Sequence, residues 1–241
     1  MARFVMVHGA FAGAWIWEPL ARELEQAGHT VEAFDLPGSG DDPTPVGEVT
    51  LHAYADRVCE VLGERPEEAV LVANSMGGVV ATQAAAQCPD RLAAVVYVAA
   101  FLPQDGQSLL ALTELPEGEG DQVQANLVVE GDPPVATLPE ATFRESIFAC
   151  CSDEVLDWAV ERRGRQPVVP FTEPVELGGF AFDGIRVGYV LCTRDEAIPP
   201  ALQRRMIESA GVDEVVELDT DHAPHLSRTG ELAEILDRLA P

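Results

Sequence analysis

The chain has 241 residues, of which 47% are hydrophobic, and its formal net charge is −26 at pH 7. That length and apolar content are ample for one α/β domain with a small insertion. The negative charge opposes binding to nucleic acid and to anionic membrane surfaces through long-range repulsion, so we expect neither as a partner. No run reaches the ~18 consecutive apolar residues of a transmembrane helix, which excludes an integral membrane protein.

The amino-terminal segment combines a predicted strand with a loop of small residues. Residues 4–7 are apolar and predict a buried strand, and the loop His-Gly-Ala-Phe-Ala-Gly follows at residues 8–13. Such a loop can turn a backbone N–H toward an oxyanion, the charged oxygen that forms during acyl transfer. We expect Ala10 to supply this N–H, and we expect His8 to hold the loop by hydrogen bonds rather than to act as a base.

The most informative local pattern is the run Ala-Val-Leu-Val-Ala-Asn-Ser-Met-Gly-Gly at residues 69–78. An apolar strand breaks there into small residues and continues into an Ala-rich helical stretch, which is typical of a nucleophile elbow. The turn would project the hydroxyl of Ser75 beyond the strand, while Gly77 and Gly78 leave room for the helix. Ala73 replaces the first glycine of the consensus G-x-S-x-G. The alternative interpretation is an ordinary strand followed by a helix N-cap serine.

The middle of the chain interrupts the alternation of strands and helices. An acidic stretch rich in Gly and Pro follows Pro103, residues 126–130 predict a short strand, and residues 140–150 and 152–163 predict helices. We interpret residues 104–180 as a cap over the site. The aromatic residues that could supply its apolar walls are Phe143, Phe148, Trp158, Phe171 and Phe180.

Two further predicted strands end in residues that suit a catalytic acid and base. Residues 186–192 predict a buried strand followed by Asp195, and residues 214–218 predict another followed by His222. A serine hydroxyl needs a base to take its proton, and the base needs an acid to orient it. The chain order Ser75, Asp195, His222 therefore fits a catalytic triad built at neighbouring strand ends.

The same two loops carry other candidates, which are Glu196, Asp219, Asp221 and His225. Asp195 is preferred to Glu196 because its shorter arm comes first after the strand. Asp221 adjoins His222 and is poorly placed to orient its ring. His225 competes as the base or as a residue that lines the pocket, since it lies only three residues beyond His222.

Taken together, these patterns resemble the α/β-hydrolase superfamily and, within it, the plant-type methylesterase and hydroxynitrile lyase family. The likeness covers nearly the whole chain. The segments that carry it are F-V-M-V-H-G-A-F-A-G-A-W-I-W (4–17), A-G-H-T-V-E-A-F-D-L-P-G-S-G (27–40), V-A-N-S-M-G-G (72–78), A-A-V-V-Y-V-A-A-F-L-P (93–103), C-T-R-D-E-A-I-P (192–199) and D-H-A-P-H-L-S (221–227).

The resemblance implies an α/β-hydrolase fold, a mostly parallel sheet flanked by helices with a small inserted cap. The core would comprise residues 1–103 and 181–241, and the cap residues 104–180. The family's catalytic positions correspond to Ser75, His222 and Asp195, and its oxyanion hole to the backbones of Ala10 and Met76. We expect no cofactor and no metal.

Departures from the family pattern favour ester hydrolysis over cyanohydrin cleavage. The family's lyases carry a hydroxyl or amide side chain where this chain has Gly9, and one branch has a lysine where this chain has Ala223. Without these groups to hold a cyanohydrin and to accept cyanide, the lyase reaction loses its chemistry. We therefore expect a serine esterase that cleaves a small or medium apolar carboxylic ester, with a methyl ester as one candidate.

Two other functions stay open. Asn74 replaces the histidine that usually precedes the serine in the esterases, and Ala73 replaces a glycine. These changes keep open a non-hydrolytic tailoring reaction of secondary metabolism on the same fold. A small-molecule binding protein is the other alternative, although a pure binder needs neither a base nor an acid.

The cysteines and the amino terminus predict the compartment. The five cysteines are odd in number and lack metal-ligand spacing, which predicts reduced thiols rather than a disulfide framework. Arg3 precedes an apolar run as in a signal peptide, but His8 and Gly9 interrupt that run. We therefore expect the segment to be retained and the protein to be cytoplasmic. The sequence leaves monomer and homo-oligomer open.

Overall fold

Nine strands form two separate sheets in the computed structural model, which describes all 241 residues. In chain order they are β1 (Arg3–Val7), β2 (Thr30–Ala33), β3 (Ala69–Ser75), β4 (Leu92–Ala100), β5 (Val128–Glu130), β6 (Val135–Thr137), β7 (Gln166–Pro167), β8 (Arg186–Cys192) and β9 (Glu214–Leu218). Six of them form one sheet in the order β2-β1-β3-β4-β8-β9, in which every neighbouring pair is parallel. The other three form a small antiparallel sheet, β5-β6-β7.

Helices flank the six-stranded sheet, so the predicted α/β class is confirmed. They are α1 (Glu18–Gln26), α2 (Leu51–Gly63), α3 (Gly77–Gln87), α4 (Leu109–Thr113), α5 (Gln122–Asn126), α6 (Glu140–Thr142), α7 (Asp153–Arg162), α8 (Val169–Thr172), α9 (Pro200–Ala210), α10 (Pro224–Ser227) and α11 (Thr229–Leu239). Helix α1 packs on α11, and α2 packs on α3. Thr50 caps α2 by accepting a hydrogen bond from the Ala53 N–H at 3.0 Å.

The central strands are buried on both faces, as a parallel sheet covered by helices requires. Residues 69–74 of β3 and 94–100 of β4 are all buried. Helix α3 is as apolar as the strands, and its first nine residues, 77–85, are buried as well. One continuous hydrophobic cluster of 66 residues results. This cluster fixes the carboxyl ends of the strands, and those ends hold the loops that the sequence analysis singled out.

The segment between β4 and β8 contains the small sheet and helices α4 to α8. We call residues 104–180 the inserted segment. Its predicted strand is present as β5 and its predicted second helix as α7. The stretch 140–150 is less regular than predicted, because α6 passes into a π-helical turn at Phe143–Ile147 in which the Phe148 N–H donates to the Phe143 carbonyl at 2.9 Å. None of the helices in the protein has both the length and the apolar composition that crossing a membrane requires.

Cys59 and Cys88 form a disulfide, which corrects the expectation that all the cysteines are reduced thiols. Cys59 lies in α2 and Cys88 directly follows α3, and these two helices pack side by side. Their proximity comes from this packing and not from a spacing pattern, so it could not be predicted from the sequence. Cys150, Cys151 and Cys192 are free.

The presence of the disulfide predicts the number of titratable thiols and a contribution to the free energy of unfolding. We expect three titratable thiols per chain in denatured, unreduced protein and five after reduction. The Cys59–Cys88 disulfide closes a loop, which restricts the unfolded chain and stabilises the folded protein by about 3–4 kcal/mol. Cys59→Ser should therefore lower the free energy of unfolding by roughly that amount. Thiol titration and urea denaturation measure the two effects, with Cys150→Ser as the free-thiol control. Five thiols without reductant would contradict the disulfide.

Candidate active site

Ser75 lies at the sharp turn between β3 and α3. It is the last residue of β3, and its φ of +56° is a left-handed conformation that residues with side chains rarely adopt. Such a backbone persists only where the surrounding structure imposes it. Met76 is the N-cap of α3, so Ser75 is not the helix-capping serine of the alternative interpretation. The strained turn lifts Ser75 out of the buried strand and into a cavity.

Three glycines allow neighbouring segments to pack against this turn. A Cβ at Gly78 would lie 2.1 Å from the carbonyl oxygen of Phe101, and a Cβ at Gly77 would lie 2.7 Å from a carbonyl oxygen of β1. A Cβ at Gly9 would lie 2.8 Å from the Cβ of Ser75. All three distances are shorter than real Cβ contacts. The β1 loop, the end of β4 and helix α3 therefore approach the turn more closely than residues with a Cβ would allow.

His222 and Asp195 meet on the loops that follow β9 and β8. The Nδ1 of His222 lies 2.8 Å from the Oδ2 of Asp195, and both side chains are buried. The other carboxyl oxygen of Asp195 accepts hydrogen bonds from the N–H groups of Ala197 and Ile198 at 2.8 and 2.9 Å. Gln203 in α9 donates to Oδ2 at 3.0 Å. The carboxylate is thus fixed, and the Nε2 of the imidazole is turned away from it.

The two histidines of this loop have opposite electrostatic environments. Burial acts to lower the pKa of His222, but the Asp195 carboxylate and its hydrogen bond outweigh burial, so the pKa of His222 is raised above its usual value. His225 has no carboxylate partner, and burial followed by the charge of His222 lowers its pKa to about 3. Its ring packs against Trp17 with centroids 4.8 Å apart, and neither ring nitrogen has a hydrogen-bond partner. His222 therefore has the surroundings of a base, and His225 does not.

The other candidate acids do not reach the His222 ring. Glu196 and Asp219 are exposed. Asp221 is fully buried, but its Oδ2 accepts a hydrogen bond from the Cys150 N–H at 2.6 Å. Of the four carboxylates on the two loops, only Asp195 is hydrogen-bonded to the ring.

Ala10 and Met76 line the same cavity as Ser75. Neither N–H donates to a protein acceptor. Met76 caps the 11-residue helix α3, so the positive end of that helix dipole lies at the same place. The two N–H groups and the helix terminus can together stabilise negative charge on an oxygen next to Ser75.

His8 holds the loop that carries Ala10 from beneath, as the sequence predicts. Its ring is completely buried, and burial lowers the pKa of His8, which keeps the imidazole neutral. Nδ1 lies 2.8 Å from the Gly9 carbonyl oxygen, and Nε2 accepts a hydrogen bond from the Leu36 N–H at 3.1 Å. These two bonds fit the tautomer that carries its proton on Nδ1. His8 thus ties the β1 loop to the segment after β2.

A predominantly apolar cavity of about 260 Å³ joins these groups. Ser75, His222, Ala10 and Met76 all line it. Of the five aromatic residues considered as walls, those that line it are Phe143, Phe148 and Phe171. Trp158 and Phe180 do not line it and pack against the hydrophobic core instead. Trp158 packs edge-on behind Trp15 at 5.2 Å, and Phe180 packs against Phe182 at 4.8 Å, so other aromatic rings take up their apolar surface.

The model of the alpha/beta hydrolase family matches residues 4–235. The chain belongs to this family. Methylesterase 7 of Arabidopsis thaliana is 34% identical to it, with 99% of this chain and 96% of that protein covered. The alpha-hydroxynitrile lyase of Arabidopsis thaliana is 31% identical, with 98% and 96% covered. The crystal structure of polyneuridine aldehyde esterase is 26% identical and covers 100% of both chains with a TM-score of 0.88. The resemblance found in the sequence is therefore confirmed.

Asn74 connects two parts of the site in this α/β hydrolase. Its Nδ2 donates to the Val98 carbonyl in β4 at 2.9 Å and to the His222 carbonyl at 3.3 Å. The amide thus links the elbow to the histidine loop at the position where the family's esterases usually have a histidine. The sequence identified the substitution but not this role, because both carbonyls are distant from Asn74 in the chain.

Two polar residues of the site were missed by the sequence analysis. Gln203 orients Asp195 from the first turns of α9, and Asp121 lines the cavity from the inserted segment. Asp121 belongs to an acidic, Gly-rich run in which Glu119 is exposed, so nothing in the local pattern distinguishes it. Gln203 lies in an amphipathic helix, and the sequence does not distinguish it from the other polar residues of that helix. Only the folded arrangement reveals their contacts.

The close packing at the elbow predicts that one added methyl group lowers the stability of the protein. In Gly78→Ala the new Cβ would meet a backbone oxygen that cannot rotate away, so we expect the free energy of unfolding to fall by about 2–3 kcal/mol. Gly63→Ala is the control, because it lies at the exposed end of α2 with no atom within 4 Å of the added Cβ. Urea denaturation measures both variants. Equal free energies of unfolding in the two would contradict the packing argument.

Proposed function

We propose that this α/β hydrolase is a serine carboxylic ester hydrolase. One observation carries the proposal: His222, paired with the buried Asp195, lines the same apolar cavity as the strained Ser75. A nucleophile, a base and an orienting acid are what acyl transfer by a serine enzyme needs. The names of the methylesterase and esterase relatives support this choice of reaction.

In the first half of the proposed reaction, the Oγ of Ser75 attacks the ester carbonyl carbon while the Nε2 of His222 takes the hydroxyl proton. Asp195 holds the proton of the imidazole on Nδ1 and stabilises the imidazolium that forms. The carbonyl oxygen becomes negatively charged and accepts hydrogen bonds from the N–H groups of Ala10 and Met76. The alcohol then leaves with the proton from His222, and the acyl group stays on Ser75.

Water completes the proposed reaction. His222 takes a proton from a water molecule as its oxygen attacks the acyl carbon, and the same oxyanion donors stabilise the second tetrahedral intermediate. Collapse of this intermediate returns a proton to Ser75 and releases a carboxylic acid. The acid ionises at neutral pH, and the protein's net charge of −26 then favours its departure by repulsion.

A small or medium apolar ester is the proposed substrate, with a methyl ester as the specific candidate. The walls of the cavity are largely aromatic and aliphatic, which favours an apolar acyl or alcohol group. Arg163 is the one arginine among them, and its guanidinium lies over the Phe143 ring and near Glu140. We propose that the inserted segment acts as the cap, because it contributes Phe143, Phe148 and Phe171 to these walls.

Hydroxynitrile lyase activity is the weaker proposal. A side chain larger than hydrogen at Gly9 would collide with the Cβ of Ser75, so no hydroxyl or amide can be added there without displacement. Ala223 offers an apolar surface to the cavity, and the chain contains no lysine. The site therefore lacks both the polar side chain at position 9 that would hold a cyanohydrin and the lysine at position 223 that would accept cyanide.

The cytoplasm is the proposed compartment. The Cys59–Cys88 disulfide argues against it, because disulfides are rare in cytosolic proteins. Counting the free thiols therefore tests the proposed compartment. Three free thiols in protein alkylated at the moment of cell lysis would favour an oxidising compartment instead.

A fluorophosphonate should add covalently to Ser75, because a base-activated serine attacks the phosphorus centre. We expect a single adduct by intact-mass spectrometry, together with turnover of p-nitrophenyl and methyl esters. Ser75→Ala should abolish the adduct and lower kcat by about 10⁴-fold or more, whereas the exposed Ser209→Ala control should retain both. An adduct without turnover would favour a non-hydrolytic reaction, and absence of an adduct would favour a binding protein.

The pH profile should show the raised pKa of His222. Only the neutral imidazole can accept the serine proton, so kcat/KM should be lost as the pH falls through this pKa, with a midpoint above the usual 6.5. Asp195→Asn removes the carboxylate that raises the pKa. The midpoint should therefore move to lower pH, and kcat should fall by about 10⁴-fold. Glu196→Gln, an exposed neighbour, is the control, and an unmoved midpoint in Asp195→Asn would contradict the assignment.

A further inference from the structure

One carboxyl group in the cavity has no part in the mechanism above. Asp121 lies in the inserted segment directly before α5, and it is only 7% exposed. Apart from the two histidines, the titratable side chains that line the cavity are Asp121 and Arg163. Arg163 already has partners, since it stacks on Phe143 and lies 3.7 Å from Glu140. Asp121 belongs to no ion pair.

The position of Asp121 is fixed by hydrogen bonds to its own turn and to the loop of the catalytic acid. Its Oδ1 accepts a hydrogen bond from the Gln124 N–H at 2.8 Å, which caps the single turn of α5. The next residue, Gln122, donates its N–H to the carbonyl of Glu196 at 2.8 Å. Glu196 directly follows Asp195. The turn that carries the Asp121 carboxyl is therefore tied to the loop that carries Asp195.

The helix-capping interaction leaves hydrogen-bond acceptor positions of the Asp121 carboxyl free. An ionised carboxylate has about four acceptor positions, and the donors to Asp121 are backbone N–H groups of its own turn, Gln124 at 2.8 Å and Val123 more weakly. Burial raises its pKa to about 6. A carboxylate in an apolar cavity is costly unless a donor satisfies it. The charge of protonated His222 acts on Asp121 from a distance, but no side chain of the protein forms an ion pair with it. The remaining candidate is a donor that arrives with the substrate.

We propose that Asp121 is a substrate-recognition residue that accepts a hydrogen bond from a hydroxyl or ammonium group remote from the ester. This inference rests on the proposed ester hydrolysis at Ser75 and narrows its substrate class to an apolar ester with one such donor. A site with a buried acceptor discriminates strongly against a substrate that lacks the donor, because the acceptor is then left without a partner.

The test compares three series of methyl esters that differ only in the group at the far end of the acyl chain: hydroxyl, ammonium or methyl. Each series spans several chain lengths. Wild-type protein should show a higher kcat/KM for a hydroxyl or ammonium ester than for its methyl-ended counterpart at one chain length. In Asp121→Asn the ratio of the ammonium ester to the methyl-ended ester should fall by about tenfold or more, whereas a hydroxyl can accept a hydrogen bond from the new NH₂ group and should lose less.

Asparagine is chosen because it caps a helix about as well as aspartate. Its amide oxygen can keep the hydrogen bond to Gln124, so an NH₂ group would face the cavity in place of an acceptor. A change in the ratio with an unchanged Tm would then report recognition rather than folding. Glu119→Gln, an exposed carboxylate two residues away, is the matched control and should leave the ratio unchanged. An equal ratio in wild type and Asp121→Asn would overturn the inference.

A binding measurement separates this inference from the proposed function. If no ester is hydrolysed, the proposed reaction fails, and the same esters are titrated by calorimetry into Ser75→Ala and into the double variant with Asp121→Asn. The Kd of the ammonium ester should then rise about tenfold in the double variant, while that of the methyl-ended ester changes less. Equal changes for all esters, or no binding by any of them, would overturn the role of Asp121.

Discussion

The close approach of four backbone segments around Ser75 is the constraint on which the rest of the site depends. Strand β3 must end, reverse into the left-handed region and begin α3 within two residues. This is possible only because Gly77 and Gly78 have no Cβ to collide with β1 and its loop or with the end of β4, and Gly9 has none to collide with Ser75. The hydrophobic core on both faces of the sheet holds the strained turn in place. The Met76 N–H and the start of α3 then lie beside Ser75 without further adjustment.

Local charge, not burial alone, separates the two histidines next to this turn. His222 and His225 lie on one loop, both are almost fully buried, and both line the cavity. Burial disfavours the charged form of each. Asp195 reverses the outcome for His222, while His225 has an indole ring and no acceptor beside it. A buried carboxylate fixed by the hydrogen bonds of Gln203 and two backbone N–H groups is therefore what makes one imidazole basic.

The features that sequence predicts well here are those carried by continuous stretches of chain. An apolar strand followed by a polar residue identified Asp195 and His222, and small residues after a strand identified the elbow at Ser75. Contacts between distant stretches gave no such signal. The Cys59–Cys88 disulfide depends on how α2 packs on α3, and the displacement of Trp158 from the cavity depends on where Trp15 lies. The cavity-facing position of Asp121 depends on the fold of the inserted segment in the same way.

The inserted segment is joined by hydrogen bonds to each of the three loops that surround the cavity. In the β1 loop, the Phe11 carbonyl accepts from the Gly164 N–H at 2.7 Å. The other two bonds are Gln122 N–H to Glu196 in the β8 loop at 2.8 Å and Cys150 N–H to Asp221 in the β9 loop at 2.6 Å. Each loop carries one predicted site residue within one position of its bond. A displacement of the inserted segment would therefore alter the loops that carry Ala10, Asp195 and His222 together, so the segment that shapes the cavity is also linked to the alignment of these three residues.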